Sequence, residues 1–137
     1  MFLYQLNLME KMAFVQLAKE MVTIDDGKID DQEYELISIM ANEMQVAVDS
    51  VLSIEFNLKQ LSEEFKSPQS KRICIVELLS LALINSEFHE KQKLLLKSLT
   101  NLFRIDNDEV NKIETWVKEI MECTKLGMEL INGLEEN

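Results

Sequence analysis

Two stretches of this chain carry the same pattern 59 positions apart, and that repeat limits the possible fold more than any single motif does. Phe14 falls on Ile73 and Leu17 on Val76. Asp26 falls on Asn85, Gly27 on Ser86 and Ile29 on Phe88. Leu36 and Ile37 meet Leu95 and Leu96, Met40 meets Leu99, and Asp49 meets Asp108. One register serves about forty positions without a gap. Helical periodicity alone realigns apolar stripes every few residues. It does not make turn meet turn and helix start meet helix start in that same register. The pattern therefore predicts an internal duplication of a helix–loop–helix unit, repeat one about 10–57 and repeat two about 69–116. Each unit would bury the other's apolar stripe about a pseudo-two-fold axis.

The units read as helices. Phe14, Leu17, Ala18 and Met21 stand at i, i+3, i+4 and i+7, and Leu6 and Met9 extend the stripe. This predicts one helix from near residue 3 to Thr23. Asp26-Gly27 marks a turn, because Gly adopts positive φ without a Cβ clash. A second helix should run from Asp31 to about Gln45, a short third one from near Asp49, and another over Leu58–Lys66. Ser67-Pro68 opens a helix that is apolar nearly all round up to Ile84, as suits a central element. Glu90–Phe103 follows, with Leu95, Leu96, Leu99 and Leu102 expected inside. Asp106 and Glu109 then read as a capping box for a long last helix, which Gly127 and Gly133 should weaken or bend. The expectation is all-α: a single compact domain, residues 1–137, of about seven helices.

Composition agrees. Gly 3 and Pro 1 in 137 residues are too few for the many turns of an all-β fold. The formal charge of −11 repels phosphate backbones and anionic lipid, so nucleic acid is not an expected partner. It favours protein partners with basic surface, and leaves a homo-oligomer open. The most apolar run, Ile73–Ile84, is too short to span a bilayer and holds Glu77 and Ser80, so no membrane insertion is expected. The first residues lack a basic region and a small-residue cleavage site, which argues against a signal peptide. Cys74 reads as a core residue, and neither it nor Cys123 belongs to a CxxC pair. A cytoplasmic location is the expectation.

The chemistry, if any, lies in the first loop. Asp25, Asp26, Asp30, Asp31, Glu33 and Glu35 crowd together with only Lys28 as counter-charge. Hard cations such as Ca²⁺ and Mg²⁺ take several oxygens from a tight turn. Asp26-Gly27-Lys28-Ile29-Asp30, closed by Glu33, matches the second half of an EF-hand loop; the first half offers Val22 and Ile24 instead of carboxylates. Asp25, Asp26, Asp30 and Glu33 are the candidate metal ligands, with water completing the shell of a weakly held divalent cation. An architectural reading competes. Gly27 turns the chain, Ile29 plugs the core, and Asp30 caps the second helix with Glu33 closing a capping box. The second loop keeps an apolar plug at Phe88 but loses the Asp-Gly, and Glu33 becomes Gln92. No cofactor is otherwise indicated. His89, the single histidine, has no evident nucleophile to serve as a base for, and is expected in solvent. Glu77 is a candidate buried acid in the central helix, but the expectation is that it shares an outward strip with Ser80.

These residues resemble the tellurite-resistance TerB-like family, whose mark is an apolar helix ending in Ala-Asp-Gly, an apolar residue, and a Glu six or seven positions after the Gly. Here Leu17-Ala18 leads to Ile24-Asp25-Asp26-Gly27-Lys28-Ile29 and Glu33, with Asp25 where the family usually has Ala. The likeness spans roughly Phe14 to Ile120. It implies a duplicated all-helical fold, shared with the N-terminal part of a membrane-anchored DnaJ-like co-chaperone. It also implies a non-enzymatic module in chemical-stress, tellurite or phage-defence complexes, with divalent cations proposed at the acidic loop. By position Asp26, Asp30 and Glu33 would serve. The alternative function is a dedicated divalent-metal sensor or buffer.

Overall fold

The helix opened by Ser67-Pro68 organises everything else. Ser67 accepts the Ser70 N–H at 2.9 Å, Pro68 takes the first helical position where no N–H is needed, and α4 (Pro68–Ala82) follows. Its side chains are apolar on most sides, with Ile73, Cys74, Ile75, Leu78, Leu79 and Leu81 buried. In the computed structural model it accordingly packs against α1 (Leu8–Thr23), α2 (Asp31–Met44), α5 (Glu90–Phe103) and α6 (Asn107–Ile131). A five-residue helix, α3 (Leu58–Ser62), leans on α1 and α5, and the Phe65 ring meets Phe103 edge-on at 5.5 Å. The structure describes residues 1–47, 56–84 and 88–133. Among them the chain is all-helical, one compact body without strands. The helix expected near Asp49 and the turn at Asn85–Glu87 lie outside the described residues.

Two helices match in length, spacing and the way they end. α2 and α5 each run 14 residues and begin and end 59 positions apart. At the N-terminus of α2, Asp30 Oδ1 accepts the Glu33 N–H at 2.8 Å and Glu33 Oε1 accepts the Asp30 N–H at 3.1 Å. At α5, Gln92 Oε1 accepts the His89 N–H at 3.1 Å. Both helices stop on a left-handed residue, Gln45 and Arg104, each with φ 60°. The Val46 N–H then reaches the Ala41 carbonyl at 3.0 Å, and the Ile105 N–H reaches Thr100 at 3.0 Å. These are Schellman endings built without glycine.

Several expectations are corrected. The first helix is not continuous: a 3-10 turn (Leu3–Gln5) stops at Leu6, and Asn7 starts α1 with a capping box to Glu10. The apolar stripe ran straight across this break and hid it. Met9 is exposed accordingly, and Leu102 is 41% exposed rather than inside. The helix near 58–66 stops at Ser62. Asp106 caps α6 by accepting the Glu109 N–H, but Glu109 does not close the box, because its carboxylate pairs with the Arg72 guanidinium. α6 passes through Gly127 unbroken and ends at Ile131, with Gly133 left-handed beyond it.

Glu77 is the largest departure. It is 3% exposed, at the heart of α4, not on an outward strip. Its carboxylate accepts the Phe2 N–H at 2.8 Å and pairs with the Met1 ammonium at 3.1 Å; Glu43 holds the same ammonium at 2.9 Å. Burial lowers the affinity of that ammonium for its proton, but the two carboxylates outweigh burial and hold its pKa above the usual value. Buried Glu10 ties the start of α1 to the α3–α4 link in the same way. It accepts the Asn7 N–H at 2.9 Å and the Lys66 N–H at 3.2 Å.

Candidate functional site

α1 ends where Thr23 turns its hydroxyl back onto the Lys19 carbonyl at 2.7 Å and the Gly27 N–H closes on the Thr23 carbonyl at 2.7 Å. Gly27 has φ 75°, a conformation that a Cβ would strain. Asp26 Oδ1 accepts the Lys28 N–H at 2.9 Å, which folds the loop over itself. The loop thus delivers four carboxylates to one place. Asp25, Asp26, Asp30 and Glu33 all line a cleft of about 350 Å³, together with Lys28 and the apolar Val22 and Ile29.

The opposite wall comes from the start of α5, where His89 and Gln92 stand. His89 Nδ1 lies 3.8 Å from Asp25 Oδ2, an ion pair whenever the imidazole is protonated. Gln92 is buried and works at both ends. Its carbonyl takes the His89 N–H, and its amide donates 2.9 Å to the Met21 carbonyl in the last turn of α1. α5 thereby satisfies an orphan helix-end carbonyl of α1. Position 33, 59 residues earlier, carries a carboxylate that has no such donor to offer. Glu33 is 8% exposed. Burial raises its pKa and the charges of Asp30 and Asp26 add to this; the Asp30 N–H and His89 pull the other way and do not cancel it.

The expected plug is absent: Ile29 is 37% exposed and forms part of the cleft wall. The capping box of Asp30 and Glu33 is present as the architectural reading required. Among the described residues, no group of three or more His, Cys, Asp or Glu side chains converges as a metal site demands. The four acids share a wall, but Asp25 faces His89 and the other three serve separate backbone N–H groups: Asp26 that of Lys28, Asp30 that of Glu33, Glu33 that of Asp30. Pattern-reading of the first loop found the acids and missed His89 and Gln92 as their neighbours. The repeat offset, which sets His89 against Asp30 and Gln92 against Glu33, was the signal that could have found them.

Among the described residues, no helix is long and apolar enough to cross a membrane. No family model, no curated protein and no solved structure matches the chain.

Proposed function

We propose that this chain is a non-enzymatic, TerB-like protein-interaction module of a stress-response or tellurite-resistance type, cytoplasmic, that docks basic segments of partner proteins at its acidic cleft. One observation carries this reading: four carboxylates, one of them nearly buried, share a single cleft with two apolar side chains. A volume of about 350 Å³ accommodates a lysine or arginine side chain rather than a bare ion. Val22 and Ile29 suit its methylene stem, and the carboxylates suit its charged head. The net charge of −11 steers basic surfaces toward it. The matching ends of α2 and α5 support an origin by duplication, with an approximate two-fold relation between the units. In that account the first loop kept its acids for binding and the second became its structural support.

A divalent cation held weakly at Asp25, Asp26, Asp30 and Glu33 is the second reading. The acidic loop favours it, and the scattered oxygens rank it below docking. One NMR experiment separates the two. Amide shifts of Gly27, Glu33 and His89 are followed while an arginine-rich peptide, and separately MgCl₂ and CaCl₂, are added to chelator-treated protein. Docking predicts saturable peptide shifts that Asp25→Asn with Asp26→Asn abolishes. Saturation by metal alone would favour the sensor. No shift with peptide up to millimolar concentration would sink the docking proposal.

A further inference from the structure

Helix α6 outruns the body it belongs to. Val117 is its one buried residue, yet the helix continues to Ile131, about 21 Å further at 1.5 Å per residue. Met121 is the last side chain of α6 that packs against the core, and the ten residues beyond it form an unsupported stretch that is marginal in water, the more so with Gly127 inside it. Its surface is not that of a solvated tail. Leu126, Met128, Leu130 and Ile131 are 52% to 78% exposed. Ile113, Val117, Ile120, Thr124, Gly127 and Ile131 follow one another at alternating steps of four and three, the spacing of a helix–helix seam. The first two positions pack against or within the core, Ile120 lies half-buried at its edge, and the last three continue the same line past it.

We infer that the distal half of α6 pairs antiparallel with the same segment of a second copy of this chain. Two properties of the segment select this occupant. The first is charge. Lys118 and Lys125 nearly balance Glu119, Glu122 and Glu129, so the segment carries a net −1 while the chain carries −11. Two copies repel each other least here, and a basic partner has little to be drawn by. The second is register. Set antiparallel, Ile120 faces Ile131 of the second copy and Thr124 faces its Gly127, and each contact recurs across the two-fold axis. Small residues at the centre let the helices approach; large ones close both ends. A single seam of this length buries less than the ~800 Å² per partner of a standard interface, so the dimer is micromolar and reversible. The cleft plays no part in this argument, and the two proposals stand or fall separately.

The test uses the full chain in sedimentation equilibrium from about 1 to about 300 µM, a range that brackets the affinity of so small a seam. The mass should climb from 15.9 kDa toward twice that value. Leu130→Glu with Ile131→Glu, both exposed in the single copy, should leave the circular dichroism of the dilute monomer unchanged and weaken association at least about tenfold. The same register sets Thr124 opposite Gly127 of the second copy, so Thr124→Cys with Gly127→Cys, in a Cys123→Ser background, should form a cross-linked dimer on mild oxidation. A parent that stays monomeric throughout overturns the inference, as does a double variant that associates as tightly as the parent. Association without the cross-link overturns the antiparallel register.

Discussion

Gln92→Glu changes one atom's chemistry and almost no volume, so it isolates what the side-chain amide contributes. Gln92 is 3% exposed; its carbonyl oxygen accepts the His89 N–H at 3.1 Å and its amide donates to the Met21 carbonyl at 2.9 Å. Glutamate keeps the first role and loses the second. An unsatisfied buried carbonyl costs about 1–3 kcal/mol. The new charge also lies across the cleft from Asp25, Asp26, Asp30 and Glu33, which outnumber the cleft's basic side chains, Lys28 and His89. The sum is about 2–4 kcal/mol, which for a domain of this size is a fall in Tm of roughly 10 °C. Urea unfolding followed at the helix band should show a lower midpoint with an unchanged slope. The sign of the pH effect follows from burial. The introduced carboxylate has a raised folded pKa, so acid restores its proton and its donor, and the deficit should shrink as pH falls. A variant within about 0.5 kcal/mol of the parent at pH 7 would refute the idea that Gln92 latches the two halves together.

Glu33→Gln is the reverse exchange and should stabilise at neutral pH. The folded pKa of Glu33 is raised, so the parent loses stability as pH rises through that range, and the difference between the two melting curves should appear there and vanish in acid. Arg104→Gly should stabilise by up to about 1 kcal/mol in urea unfolding, because the exposed Arg104 adopts φ 60° where glycine is unstrained. The Met1 ammonium has a raised folded pKa, so its pairing strengthens the fold below pH 8 and is lost as pH rises through the higher folded value. Glu77→Gln should cost about 1–2 kcal/mol at pH 7 and flatten that alkaline decline. An unchanged alkaline slope would show that Glu77 does not hold the ammonium.

Helix identity was legible in the chain wherever periodicity and a cap agreed. α2 and α5 start at Asp31 and Glu90, as expected, and end at Met44 and Phe103, within a residue of expectation. Ser67-Pro68 opened α4 as the motif demands. Errors came where one local signal masked another. The stripe through Leu6 and Met9 concealed the Asn7 cap, since apolar spacing does not register a change of axis. Glu77 was expected at the surface rather than buried, and no local signal reveals its partners, Met1 and Phe2, more than seventy positions away. Glu109 left its capping box for Arg72 for the same reason, a long-range partner outcompeting a local one. In the candidate site, residue types revealed the acids but not the wall opposite. Ile29 was predicted as a plug from its resemblance to a staple position, yet the chain leaves it lining an open cleft.

The buried carboxylate of Glu77 also fixes an order of events during synthesis. Translation runs from N- to C-terminus, so Phe2 is made before the carboxylate that receives its backbone N–H, which follows 75 residues later. Until α4 has been translated and has folded, Leu3 has no core to enter, because α4 and α2 are what cover its turn. That segment therefore waits, apolar and unplaced, while the intervening helices are made, and chaperone binding during translation would be expected to concentrate on it.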